Sequence, residues 1–178
     1  MKKIIMIVSV MLMTLSANAQ DNEGKTKVFN FEVKTGTTFP LKSFSDTNNK
    51  LGFQIGLEAR WNLRRLPIDI GTELYMGSTA RTYKDRILGH HISNRTFSLS
   101  AGTDYNFNRG NSFSPFVGMG VGVANCENIK GSYGGEQTRL CMTPRVGFMA
   151  FRHLRVTLDA HITRKEYSHA GLAVGYVF

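Results

Sequence analysis

Apolar residues recur at every second position through most of the chain. In residues 51–63, LGFQIGLEARWNL, every odd-numbered residue is apolar and every even-numbered residue is glycine, polar or charged. A helix has a period of 3.6 residues and would mix the two sets, whereas a strand places them on opposite faces. The segment is long for a soluble strand but suits a tilted strand that crosses a membrane. It therefore predicts a membrane-spanning strand.

The same alternation predicts eight strands in all. They cover residues 29–37, 51–63, 68–76, 97–107, 117–123, 140–150, 156–162 and 172–178. The connections alternate between longer loops at 40–50, 79–90, 125–139 and 164–169 and tight turns at 64–65, 108–111 and 152–153. Outer-membrane barrels have this asymmetry, with short periplasmic turns and longer external loops. The prediction is an all-β fold, an eight-stranded antiparallel up-and-down transmembrane β-barrel with both termini in the periplasm.

The polar face of these strands has the composition of a crowded lumen. All glycines within the predicted strands fall on that face, where they leave room for long charged side chains. The charged strand residues share it, apart from Arg95 at the start of a strand. The predicted lumen charge network is Glu32, Lys34, Glu58, Arg60, Asp69, Glu73, Asp104, Arg145, Arg155 and Asp159.

Six acids and four bases in this network are close to balance, which favours mutual pairing. An unpaired ion in a low-dielectric lumen would cost several kcal/mol. Arg60 and Arg145 are the expected centres, because a guanidinium can bridge two carboxylates. A lumen plugged by ion pairs is the main interpretation, and a gated narrow pore is the alternative.

The end of the chain resembles a known family. Leu172, Val174, Tyr176 and the final Phe178 are similar to the C-terminal signature of bacterial outer-membrane β-barrels. The stretches SPFVGMGVGVA and PRVGFMAFRHLRVTLDAHI resemble the small eight-stranded outer-membrane barrel domain abundant in Bacteroidetes, a relative of the OmpA/OmpX-type barrels. The resemblance implies an integral outer-membrane protein whose last strand is recognised by the barrel-assembly machinery.

The first 19 residues have the pattern of a cleaved signal peptide. Lys2 and Lys3 precede an apolar run, and small residues at Ala17 and Ala19 fit a cleavage site. The predicted domain then covers residues 20–178. Removal of two lysines leaves 20 basic residues of 22 against 13 acidic ones, so the formal net charge falls from +9 to +7. An N-terminal membrane anchor is the alternative for this segment.

The remaining charge and the cysteines suggest partners and a cross-link. Basic loops suit an outer leaflet rich in lipopolysaccharide phosphates. The bases are divided between two ends of the barrel, which argues against nucleic-acid binding. Both cysteines, Cys126 and Cys141, lie in the exported part, and an even number there favours a disulfide. The expected partners are outer-membrane lipid and lipopolysaccharide, and the expected state is a monomer.

Candidate chemistry is sparse. The Gly118–Gly122 repeat lacks the spacing and the following helix of a phosphate loop. His91 and Ser93 share an outward strand face and resemble locally a His-x-Ser run of lipid A deacylases, so an acyl hydrolase is an alternative. The main interpretation is no catalysis, no cofactor and no metal, although a loop site with His90 and His91 stays open.

Overall fold

The computed structural model describes residues 28–41, 47–63, 65–83, 91–109, 111–128, 136–163 and 167–178. Nine strands cover most of these residues. They are β1 (Phe29–Pro40), β2 (Thr47–Lys50), β3 (Gly52–Asn62), β4 (Ile68–Tyr83), β5 (His91–Asn106), β6 (Phe113–Asn128), β7 (Gln137–Ala150), β8 (Leu154–His161) and β9 (His169–Val177). β2 and β3 are separated only by Leu51 and both pair with β4, so together they form one wall strand.

The sheet closes into a ring. Its order is β1, β3, β4, β5, β6, β7, β8 and β9, and β9 then pairs with β1, with Val33 opposite Tyr176. Every pairing is antiparallel, and chain neighbours are ring neighbours. This arrangement confirms the predicted eight-stranded antiparallel up-and-down barrel.

The sequence alternation maps onto the two faces of the barrel wall. On β5, Phe97 and Leu99 are about half exposed on the outside, while Ser98 and Ser100 are buried inside. Successive side chains of a strand point to opposite faces. The orientation of one residue therefore determines the face of every other residue in that strand. Among the described residues, no helix is long and apolar enough to cross a membrane.

Four adjacent strands, β4 to β7, are longer than the sequence pattern indicated. β4 extends to Tyr83, β5 begins at His91, β6 extends to Asn128 and β7 begins at Gln137. Parts of the predicted loops 79–90 and 125–139 are therefore strand. Beyond an apolar band both faces of a strand can be polar, so these extensions carry no alternation to reveal them. β8 and β9 contain only 8 and 9 residues.

Tight turns lie at one end of the barrel, together with the first residue of β1 and the last of β9. We call this the turn end and the opposite end the loop end. The turn between β7 and β8 holds Phe151 and Arg152 at φ 52° and 65°, in the left-handed region. The His153 amide donates to the Ala150 carbonyl across it, with an N–O distance of 3.3 Å. The predicted signal peptide, residues 1–19, lies outside the described residues.

Candidate functional site: the barrel lumen

All ten residues of the predicted lumen charge network are buried inside the barrel. The set is Glu32, Lys34, Glu58, Arg60, Asp69, Glu73, Asp104, Arg145, Arg155 and Asp159, and each is at most 6% exposed. They come from β1, β3, β4, β5, β7 and β8. Each projects inward because it occupies the inward phase of its strand. The lumen is therefore the place where ring closure concentrates the charge of the chain.

Arg145 on β7 is the centre of the network. Its Nη1 and Nη2 bind both oxygens of Glu58, at 3.0 and 2.7 Å, and its Nε donates to Asp104 Oδ1 at 2.7 Å. Nη1 also lies 3.4 Å from Glu73 Oε2. The fork of the guanidinium suits such multiple recognition of carboxylates. One side chain thus connects β3, β4 and β5 across the barrel.

Two further arginines extend the network toward the turn end. Arg155 Nη2 donates to Asp104 Oδ2 at 2.5 Å, and its guanidinium carbon lies 3.6 Å from the centre of the Phe116 ring. Arg60 Nη2 donates to Glu32 Oε2 at 2.8 Å, while its Nε is 3.9 Å from Glu58 Oε1. Arg60 therefore bridges two carboxylates less tightly than Arg145 does.

Lys34 is the one lysine of the network, and its ammonium group lies near two carboxylates. Its Nζ lies 2.6 Å from Glu73 Oε1 and 3.5 Å from Asp159 Oδ2. The long Lys34 side chain needs space beside Gly56, since a Cβ there would approach Lys34 Cε to 2.8 Å. Gly71 has the same relation to Arg60, with a Cβ approaching Arg60 Cγ to 2.8 Å. Glycine on the inward face accordingly gives room to the charged side chains.

Arg109 is a functional residue that the sequence pattern missed. It lies in a tight turn, outside the strands to which the alternation assigns inward and outward faces. In the structure its Nη2 forms an ion pair with Asp69, and Asn106 Nδ2 donates to Asp69 Oδ2 at 2.8 Å. Arg109 Nη1 also donates to the carbonyls of Leu63 and Leu66, both at 2.7 Å. Arg109 thus ties two turns together and closes the turn end over Asp69.

Three rings stack across the lumen toward the loop end. The Tyr75 ring lies 3.7 Å from that of His161 and 5.7 Å from that of His169, and the two imidazoles are 5.0 Å apart. His169 Nδ1 is 2.9 Å from the Tyr167 carbonyl, so this nitrogen carries the hydrogen. His169 Nε2 then accepts a hydrogen bond from the Tyr75 hydroxyl at 2.6 Å. No pattern in the sequence indicates this stack, because its members are far apart in the chain.

The predicted disulfide is wrong. Cys126 and Cys141 are buried free thiols on β6 and β7. In the register of these strands, Cys126 lies opposite Gln137 and Cys141 lies opposite Gly122. The offset of four residues corresponds to about 13 Å along a strand, whereas a disulfide requires Cα atoms within about 7 Å. Spacing in the sequence could not reveal the register.

The C-terminal residues face outward at the turn end. Leu172, Val174, Tyr176 and Phe178 are each about half exposed. Phe178 N donates to the Phe31 carbonyl at 2.8 Å, and the Phe178 ring lies 4.9 Å from that of Tyr176. Further aromatic pairs occur at this end, including Phe29 with Trp61 at 5.2 Å. Together these side chains form an aromatic girdle of the kind found at the membrane interfaces of outer-membrane barrels.

His91 and Ser93, the alternative catalytic pair, belong to the part of β5 nearest the loop end. Ser93 is half-buried on β5, opposite Ala80 of β4. The side chain of His91 and all of His90 lie outside the described part of the chain. Within the described ranges, no group of three or more His, Cys, Asp or Glu residues could hold a metal ion.

Comparison with solved structures finds the same fold in outer-membrane proteins. The N-terminal β-barrel domain of Pseudomonas aeruginosa OprF is 19% identical, with a TM-score of 0.51, and the match covers 86% of this chain and all of that one. Neisserial surface protein A is 11% identical, with a TM-score of 0.55 and coverage of 85% and 96%. Pseudomonas aeruginosa OprG is 11% identical, with a TM-score of 0.51 and coverage of 88% and 99%.

The family assignment rests on the sequence itself. No curated protein matches the chain significantly. Residues 7–178, which include every strand of the barrel, match the outer membrane protein beta-barrel domain family. That family implies a location in the outer membrane. The chain belongs to the outer membrane protein beta-barrel domain family.

Proposed function

We propose that this protein is a monomeric integral outer-membrane barrel that supports the membrane or presents its loops to surface partners, without catalysis. The observation that carries the proposal is the network of buried ion pairs inside the barrel. Ion pairs centred on Arg145 join β3, β4 and β5, and the ring stack of Tyr75, His161 and His169 lies toward the loop end. An eight-stranded barrel has an interior just wide enough for side chains to fill.

Conduction through such a lumen would require several buried ion pairs to separate together. Breaking one buried pair costs about 3–5 kcal/mol. This cost favours a plugged barrel over the alternative of a narrow porin. The surface role then falls to the loops, which carry binding specificity in most proteins.

Single-channel recording in planar bilayers tests the plug. The refolded wild-type protein is expected to insert without steady openings. An Arg145→Ala variant, which removes the central cation, provides the matched comparison and is expected to show more frequent current fluctuations. Steady openings of the wild type would overturn the plugged lumen and favour the porin.

The partners we propose are membrane components. Arg95 is the outward base at the loop end of β5 and is exposed beside the apolar Phe97. In this position a guanidinium can reach lipopolysaccharide phosphates. The signal peptide cleaved after Ala19, recognition of Phe178 by the barrel-assembly machinery and the Bacteroidetes-type origin belong to the same proposal.

A lipid assay tests the absence of catalysis. Membranes that overexpress the wild-type protein and membranes with Ser93→Ala are expected to have the same lipid A acyl profile. Acyl release that depends on Ser93 would replace our proposal with the lipid A hydrolase. Pull-down from intact cells with loop-deletion variants then identifies which loop binds a surface partner.

A further inference from the structure

The buried charges of the lumen do not balance. Six carboxylates are buried there, and the bases that face them are Lys34, Arg60, Arg145, Arg155 and the turn residue Arg109. These six acids and the five bases that contact them leave one formal negative charge. A buried surplus charge is costly unless an additional cation or proton compensates it.

The contacts locate this surplus on Asp159. Each of the other five carboxylates has a base within 2.8 Å: Arg60 for Glu32, Arg145 for Glu58, Lys34 for Glu73, Arg155 for Asp104 and Arg109 for Asp69. The nearest base to Asp159 is Lys34, at 3.5 Å from Oδ2. Asp159 is therefore the carboxylate with the weakest compensation.

One oxygen of Asp159 and one nitrogen of His161 face each other, and neither forms a hydrogen bond. Asp159 Oδ1 lies 3.9 Å from His161 Nε2. Both side chains are at most 2% exposed. An ionised carboxylate oxygen only accepts hydrogen bonds, and Nε2 also accepts in the Nδ1–H tautomer of a neutral imidazole, so in that state the pair lacks a donor.

We infer that Asp159 and His161 form a proton-binding site in the barrel lumen. One proton from solvent, bound by Nε2 or Oδ1, supplies that donor, and the two side chains form a hydrogen bond when they approach from 3.9 Å to about 3 Å. It also changes the formal charge of the network from −1 to zero. The other imidazole nitrogen, Nδ1, lies 4.0 Å from Cys141 Sγ, so the ring is held on both sides.

Groups from every packed strand surround the pair. They are Lys34 on β1, Gln54 on β3, Glu73 and Tyr75 on β4, Cys141 and Arg145 on β7, and His169 on β9. Lys34 binds Glu73 more closely than Asp159, at 2.6 Å against 3.5 Å, and Arg145 binds Glu73 and other carboxylates, so the charge of Asp159 is neutralised only in part. The Gln54 amide borders the same place, and its two polar atoms are unpartnered as well.

NMR of the refolded barrel with labelled histidines tests the site directly. The His161 ring signals, assigned with His161→Gln, are expected to respond to pH between roughly 5 and 8, the range in which histidine sites commonly exchange protons. In Asp159→Asn this response should be lost. Unchanged His161 titration in Asp159→Asn would overturn the shared site.

Urea unfolding gives an independent readout. At pH 8, where the surplus charge is present, Asp159→Asn is expected to unfold at a urea concentration equal to or higher than wild type. The matched Glu58→Gln variant, which strips a carboxylate from Arg145, should unfold at a lower concentration. The difference between Asp159→Asn and wild type should shrink toward pH 5, as the wild type gains its proton. A loss in Asp159→Asn as large as in Glu58→Gln, or failure to refold, would contradict the proposal.

Discussion

At the scale of single residues, the chain uses guanidinium groups where one cation must serve several anions. Arg145 contacts three carboxylates, and a lysine could offer neither its fork nor its planar geometry. The inward position of Arg145 could be read from the period of two. Which carboxylates it binds could not, since the partners lie 41, 72 and 87 residues away in the chain.

Arg145→Leu should lower the free energy of unfolding by about 3–5 kcal/mol. The substitution leaves Glu58 with no base closer than Arg60 at 3.9 Å and removes one of two bases from Asp104. Urea unfolding in detergent micelles, followed by fluorescence of the single residue Trp61, measures the change. The control is Arg95→Leu, an exposed outward base, for which we expect a change within about 0.5 kcal/mol. Equal effects of the two substitutions would contradict a central role for Arg145.

At the scale of elements, strands were predictable where an apolar band forces alternation. The core of β3 follows from residues 51–63 alone. The outer parts of β4, β5, β6 and β7 did not follow, because a strand with two polar faces looks like a loop in sequence. The disulfide failed for a related reason: the register between β6 and β7 decides which residues face each other, and local sequence does not encode it.

The turn between β7 and β8 makes a second prediction. Arg152 adopts a left-handed conformation that costs a non-glycine residue about 1 kcal/mol. Arg152→Gly should therefore raise the free energy of unfolding, by about 0.5–1 kcal/mol after the entropy of glycine in the unfolded chain is included. Urea unfolding measures the gain. Gly120→Ala, on the inward face of β6 and without a left-handed φ, is the control and should bring no such gain; a loss of stability in Arg152→Gly would count against the strain.

At the scale of the whole molecule, ring closure between β1 and β9 is the feature on which the fold depends. The period of two and the even number of strands were both visible in the sequence. The sequence indicated which residues face the lumen but not which of them contact one another. Neither the Arg109 contact with Asp69 nor the ring stack had a local signature, since both arise only after distant strands meet.

Deletion of Phe178 should reduce the amount of barrel in the outer membrane. The residue donates its backbone amide to Phe31 and contributes its ring to the girdle, and it ends the C-terminal pattern that we propose the assembly machinery recognises. Heat-modifiable migration of membrane fractions on gels measures folded barrel. Leu66→Ala, at the same end, removes an exposed apolar side chain but keeps the carbonyl that accepts from Arg109, and it is the control for a general effect of losing apolar surface there. Normal levels of the Phe178 deletion would rule out its role as an assembly signal.

The long sequence separations within the lumen network have a kinetic consequence. Arg145 and Glu58 are 87 residues apart, so no single hairpin can bring them together. Their contact can form only once most of the wall exists, late on the folding path. Interactions that are absent from the folding transition state govern the rate of unfolding rather than the rate of folding. The ion pairs of the lumen therefore slow the unfolding of the finished barrel. They affect its lifetime in the membrane more than the speed of its assembly.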